Sequence, residues 1–372
     1  MQASRARAGF GSSPLSSRVD GIHPLRAGQK PTMPGRTSLA RRWLDRTAHP
    51  VVALAIILAL EAAATGGLIW KAGWSHVLHA IAVDNFDWFG VCAAGQLLAY
   101  VGYALDLRAA AEVDRGVTIP FPASLAVVSV GFGPMFSANV SGGFSVDYVT
   151  LREAGMGPQR AFRRVLGLSA LEYAVLAPAV AVCALLLYFG IGGSASASLT
   201  LPWLLVLPGA ILAAWLTSPE RVEGFEAPKG ASWVRRGFAH VVAALAVLRA
   251  LVVGWRTYSW AFGGAALYWI GDILTLWAAL RVFSVDISVA ELVLAYGTGW
   301  ALTRRSLPFG GPGLVEVLLA FVLTWFHVPF AAGAAGVVAY RLFNFWLALI
   351  PAAAVLPFSD RVERQIAAAG GG

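Results

Sequence analysis

The sequence predicts an all-α polytopic membrane protein of about eight transmembrane helices, with one or two re-entrant Gly/Pro-broken segments and two pseudo-symmetric halves. Three observations predict it. Of 372 residues, 58% are hydrophobic and 13% charged, roughly half the charged share of a soluble domain, and the mean hydropathy is +0.68. Apolar runs recur along nearly the whole chain, so one large soluble core does not account for the surplus. The 28 Lys and Arg outnumber the 20 Asp and Glu and cluster in short loops between those runs. That placement encodes orientation in a membrane and argues against nucleic acid as a partner. The 14 Trp suit membrane interfaces, where an amphipathic ring is stable.

Residues 1–46 are rich in Arg, Ser, Gly and Pro without apolar periodicity and read as a disordered, basic cytoplasmic tail. The next apolar run is too long for a signal peptide and lacks a small-residue cleavage site. Crossing the hydrocarbon takes about 20 apolar helical residues. Runs at 50–70, 87–107, 165–190, 199–217, 257–281, 314–330 and 334–357 meet or approach that length. Within a transmembrane domain over 47–358, the first half covers about 50–217, a linker 218–237, and the second half 238–357. A short cytoplasmic tail follows at 359–372.

Segments 119–143 and 287–311 are apolar but broken, by Gly131-Phe132-Gly133-Pro134 and by Leu307-Pro308-Phe309-Gly310-Gly311-Pro312-Gly313. Broken backbone survives at membrane depth only where protein or water satisfies it, so these two are the candidate re-entrant elements. They also look related. A shift of 168 lays Ile119 on Ile287, Gly131 on Gly299, Gly142-Gly143 on Gly310-Gly311 and Tyr100 on Tyr268. It puts Asp147 one short of Glu316 and Glu172 one short of Arg341. Such a repeat predicts pseudo-twofold architecture with a site near the repeat interface.

Basic residues set the orientation. Arg41, Arg42, Arg46, Arg108, Arg115, Arg152, Arg160, Arg163, Arg164, Arg221, Lys229, Arg235, Arg236, Arg361 and Arg364 place both termini on the cytoplasmic side of a bacterial inner membrane. Two arrangements fit. In one, 238–255 crosses and 287–311 is re-entrant, giving parallel repeats; in the other, 238–255 lies on the surface and 287–303 crosses fully. Arg249 favours the second and the repeat the first, which is the expectation carried forward.

No Walker loop, GxSxG or HExxH occurs, so neither an enzyme nor a cofactor site is expected. Cys92 and Cys183 sit in apolar runs as small hydrophobes and offer no disulfide framework. His76, His79, Asp84 and Asp87 have weak metal spacing and read as a solvated loop.

The informative residues are ionisable groups inside apolar spans, because a charge near the bilayer centre costs several kcal/mol and faces a cavity or a partner. Glu172 and Arg341 occupy near-equivalent repeat positions with opposite sign, and are expected to face each other or to line a polar cavity jointly. Glu61 and Asp272 lack a repeat counterpart and read as helix–helix hydrogen-bonding groups. In Asn139-Val-Ser-Gly-Gly-Phe-Ser-Val-Asp147, small residues let the backbone turn and expose N–H groups near a restarting helix, an arrangement suited to an anion. Pro312-Gly313-Leu314-Val315-Glu316 repeats the opportunity. Arg152 or Arg341 would complement the charge of a lipid phosphate.

At these residues the sequence resembles the lysylphosphatidylglycerol synthase transmembrane-region family, the flippase half of the multiple peptide resistance factor and its stand-alone relatives. The strongest match is Pro308-Phe-Gly-Gly-Pro-Gly-Leu-Val-Glu316, similar to the family's Pro-x-x-Pro-Gly-Gly-x-Gly-x-x-Glu, followed by Tyr340-Arg341 and Trp346. Asn139, Gly142-Gly143 and Arg152, with Glu172 downstream, resemble the family's earlier element. The chain departs from the pattern where Pro-Gly-Gly-x-Gly becomes Phe-Gly-Gly-Pro-Gly and where an expected Asn-x-x-Pro reads Asn139-Val-Ser-Gly. Only a short tail follows residue 357, so the resemblance implies lipid translocation without lipid aminoacylation. The expected substrate-binding set is Glu172, Arg341, Asp147, Glu316, Arg152, Asn139, Gly142, Gly143, Gly310, Gly311 and Gly313. The expected partners are membrane lipids and a separately encoded lipid-modifying enzyme. The competing expectations are an accessory or scaffold subunit for an envelope enzyme, and a small-solute secondary transporter.

Overall fold

The computed structural model describes residues 50–75, 86–113, 116–132, 143–218, 232–303 and 314–370. The expected tail at 1–46, most of the linker, and His76, His79 and Asp84 lie outside them. Every regular element among the described residues is helical. In chain order they are α1 (Pro50–Ala72), α2 (Asp87–Glu112), α3 (Phe121–Gly131), α4 (Gly143–Glu153), α5 (Pro158–Tyr188), α6 (Ala197–Leu204), α7 (Val206–Leu216), α8 (Trp233–Val253) and α9 (Trp255–Val282). There follow α10 (Val289–Thr303), α11 (Leu314–Thr324), α12 (Phe330–Arg341), a π-helical turn (Leu342–Trp346), α13 (Leu349–Val355) and α14 (Ser359–Ala369). The segments Asp87–Glu112, Pro158–Tyr188, Ala197–Leu216, Trp233–Val253, Trp255–Val282 and Phe330–Ala369 are long and apolar enough to cross a membrane.

The helices break where the sequence does. Pro120 and Pro122 open α3, where a missing N–H costs nothing. At 11 residues, α3 and α4 each reach about 16 Å. The 15-residue α10 reaches about 22 Å and the 11-residue α11 about 16 Å. None matches a hydrocarbon core of about 30 Å, and each pair packs on itself, α3 on α4 and α10 on α11. Among the described residues, α3 with α4 and α10 with α11 therefore form two helical hairpins of about half-membrane length, and in the sequence the Gly/Pro breaks fall between their arms. The run expected to cross at 314–330 is instead α11, a turn and the start of α12, while α10 covers 289–303 of the segment that crosses in the second arrangement.

The repeat is visible as an order of elements. Long, short, break, short, long runs from α2 to α5 and again from α9 to α13, with starts at 87 and 255 and at 121 and 289. Its sense differs from the parallel arrangement carried forward from the sequence. The equivalent helices α2 and α9 pack antiparallel along their full length: Trp88 lies edge-on to Trp277 at 5.0 Å, and Thr275 Oγ1 donates to the Cys92 carbonyl at 3.3 Å. Farther along, the Arg108 guanidinium sits 5.7 Å over Trp260. The glycines explain so close an approach, since a Cβ on Gly102 would lie 2.6 Å from the Gly264 carbonyl oxygen and 2.8 Å from Tyr268 Cα. Equivalent elements running in opposite senses make the repeat inverted, with its pseudo-twofold axis across the helices.

The helix α8 explains the reversal. It runs alongside only the early part of α5, with Phe162 against His240 at 4.8 Å and Val247 beside Gly167. Its Leu251 joins Ala109, Val113, Leu171, Ala261 and Ala265 in one cluster, so it ends at the end of the bundle where α9 begins. Arg249 donates to the Ala214 carbonyl there at 2.9 Å. Placing 238–255 along the surface, as Arg249 favoured, fits this geometry.

Packing between the halves is exchanged. The arm α10 lies on the later part of α5, Gly297 against Val180. The arm α3 lies on α13, the later part of the other repeat's last long helix. A main core of Ala, Leu, Val and aromatic side chains runs through both halves.

Candidate functional site

Five helices deliver a first set of buried polar groups. Arg341, 6% exposed, ends α12 and forms a fork with Glu61 of α1, which is fully buried: Nε to Oε1 at 2.9 Å and Nη2 to Oε2 at 3.2 Å. Glu316, also fully buried, comes from the first turn of α11 and touches Arg341 Nε with its Oε1. The π-helical turn after Arg341 swings Asn344 into place, so that its Oδ1 accepts from Arg341 Nη1 at 3.2 Å and its Nδ2 donates to Asp272 Oδ1 at 2.6 Å. Such turns recur at functional positions because they re-aim one side chain inside a helix. Asp272 of α9 also accepts from the Tyr340 hydroxyl at 2.9 Å and from the Tyr296 hydroxyl of α10.

A second set lies in the first half. Tyr103 of α2 donates to Asp147 Oδ2 of α4 at 2.7 Å, and both are buried. Glu172, 1% exposed at the middle of α5, has the fully buried Asp106 of α2 as its charged neighbour. The Trp269 indole donates to the Glu172 carbonyl at 2.8 Å.

A chain of rings connects the two sets. Phe132, which caps α3 at the edge of the first break, meets Tyr103 and Tyr268. Tyr268 meets Trp269 at 4.6 Å, Trp269 meets Tyr296 at 6.0 Å, and Tyr296 meets Trp300 at 5.9 Å, near the end of α10 before the second break. The rings thus run from one hairpin to the other, with carboxylates on both flanks.

The expected site residues fall into three groups. Arg341 and Glu316 come together, but the partner of opposite sign is Glu61 and not Glu172; α1 fills the place in which Glu172 was expected. Asp147 and Glu172 are buried in the other set. Arg152 is exposed at the end of α4, its guanidinium donating to the Met156 carbonyl, and Gly143 opens α4. Asn139, Gly142, Gly310, Gly311 and Gly313 lie outside the described residues. Glu61 and Asp272 make the hydrogen bonds between helices that the sequence led one to expect, whereas Asp106 was passed over, although all three carry the same signal, a carboxylate inside an apolar run. Among the described residues, no group of three or more His, Cys, Asp and Glu side chains is arranged to hold a metal ion. The arrangement can hold charge, exchange hydrogen bonds and stack rings; none of the pairs described places a nucleophile against a base.

Residues 51–352 match the family model described as "Lysylphosphatidylglycerol synthase TM region". No curated protein matches the chain.

Proposed function

Because the chain belongs to the lysylphosphatidylglycerol synthase transmembrane-region family, we propose that it is a lipid translocase, moving a phospholipid or lipid-linked headgroup across a bacterial inner membrane without covalent chemistry. The observation that carries this reading is the pair of half-length hairpins, in halves of opposite sense, joined by one line of rings between two buried polar sets. Inverted repeats of this kind suit alternating access, in which one arm opens while its counterpart stays shut. A headgroup would enter along a hairpin, exchange its water for Glu172, Asp147 and the ring edges, and leave its tails in the bilayer. Arg152, Arg160 and Arg163 would meet a lipid phosphate at the membrane surface. With α1, α2, α5, α6–α7, α9 and α12–α13 as crossings, the number is even and both termini lie on the cytoplasmic side.

The accessory reading draws on a different surface. Leu205, Leu207, Ile211, Leu212 and Trp215 of α6–α7 are all exposed, and a helix of a lipid-modifying enzyme could cover them.

The test is transfer of fluorescent phosphatidylglycerol in vesicles containing the purified protein, followed by dithionite quenching. The Glu172→Gln variant, which keeps the shape and removes the charge, is expected to slow transfer at least tenfold while eluting as a folded species. Transfer at the wild-type rate in that variant, or no transfer by the wild type, would count against the reading. Co-purification of a lipid-modifying enzyme by an inactive wild type would favour the accessory role.

A further inference from the structure

Among the described residues, the charges around Arg341 do not balance, and the geometry says where the imbalance sits. Nε of a guanidinium carries one hydrogen. Glu61 takes it, together with one from Nη2, in the two-point fork that best matches a carboxylate. Asn344 takes one from Nη1. Glu316 also touches Nε, yet among the described residues neither of its oxygens has a hydrogen-bond donor, and its carboxyl has that of Glu61 as its other charged neighbour. Glu61 and Glu316 are both fully buried. Among the described residues, one cation therefore serves two carboxylates away from water, where an uncompensated charge is strongly unfavourable.

Among the described residues, the surrounding elements supply no second cation. The arm α11 packs against α10, α12 and α1. From α10 the titratable groups are Tyr296, bonded to Asp272, and Glu291, beside Gly193 at the far end. From α12 they are Arg341 itself and Tyr340, also bonded to Asp272. From α1 they are Glu61 and Lys71, the latter exposed and directed at the Phe330 ring at 5.8 Å. Across the network, α9 adds a further carboxylate, Asp272, which already accepts three hydrogen bonds. His327, after α11, is exposed.

We infer that Glu316 is a proton-binding site: the Glu61–Glu316 pair shares one proton over Arg341, and its release opens the second hairpin, coupling lipid movement to a proton gradient. When the Glu316 O–H bond breaks, the electron pair stays on the carboxylate and the proton passes to water. The cluster then holds two anions on one cation, and the strain is relieved by moving α11 away from α1 and α12 to admit water. Reprotonation closes it. The coupling rests on the translocase reading; the proton site does not.

Two measurements separate them. Infrared difference spectra of the purified protein are expected to show a buried protonated carboxyl at neutral pH, lost in Glu316→Gln. It should also be lost in Glu61→Gln, because a single carboxylate then faces the guanidinium and needs no proton. In vesicles of phosphatidylethanolamine and phosphatidylglycerol, an imposed pH gradient is expected to drive labelled phosphatidylglycerol towards about tenfold asymmetry per pH unit for one proton per lipid. A protonophore or Glu316→Gln should abolish that asymmetry. Absence of the carboxyl signal in the wild type, or its survival in both variants, would overturn the proton site. Rapid transfer indifferent to the gradient would overturn the coupling and leave translocation standing. No transfer under any gradient, with the carboxyl signal behaving as expected, would overturn translocation and coupling together and leave the proton site in place.

Discussion

Removing the Arg341 side chain does more than delete one contact, because its guanidinium neutralises groups on two other helices. Arg341→Met is expected to lower stability by about 3–5 kcal/mol, the usual cost of stranding a buried charge, read as a fall in thermal midpoint in detergent. Combined with Glu61→Gln, the loss should shrink, since one stranded anion is gone. Tyr340→Phe removes a single hydrogen bond to Asp272 and should cost only about 1 kcal/mol in the same assay. These partnerships were only partly legible in the sequence. Each carboxylate announced itself as a charge in an apolar run, but pairing was inferred from repeat position, and Glu61 has no repeat counterpart. It reaches Arg341 because α1 packs against α12, a tertiary fact that no spacing along the chain contains. The ring line from Phe132 to Trp300 was hidden for the same reason, as its members come from three helices and the cap of a fourth.

Helices were legible where hydrophobicity decides them and illegible where direction does. The Gly/Pro breaks marked both hairpins, because a missing N–H and a freed backbone are local properties. The 314–330 run reads as one span, yet the helix stops at Thr324 and the chain turns before Pro329. The antiparallel seam of α2 and α9 offers a direct check on how closely two elements meet. Gly102→Ala puts a methyl group against the backbone of Tyr268 and is expected to destabilise by about 1–3 kcal/mol. Gly90→Ala, on the same helix with nothing within 4 Å of the added carbon, should cost nothing measurable. Equal effects of the two in thermal unfolding would contradict the seam.

At the scale of the molecule, a shift of 168 residues reveals that the order of elements recurs and is silent about its sense. Parallel and inverted repeats share one sequence signature; the number of crossings between them decides, and that turned on whether α8 crosses or lies along the surface. An inverted repeat puts Arg281, paired with the exposed Asp286 at 2.7 Å, at the opposite end of the bundle from Arg108. Arg281→Cys is therefore expected to react with an impermeant thiol reagent from the periplasmic side, whereas Arg361→Cys, exposed on α14, reacts only after permeabilisation. Protection of both positions would restore the parallel arrangement. The exchanged packing also bears on how the protein is made. The arm α3 emerges from the ribosome early, but the helices it rests on, α13 and α14, are among the last to be synthesised. During synthesis α3 can pack at once on α2, but the face that α13 and α14 cover has to wait for them. Two separately expressed halves, each carrying the surface the other lacks, should find one another in the bilayer.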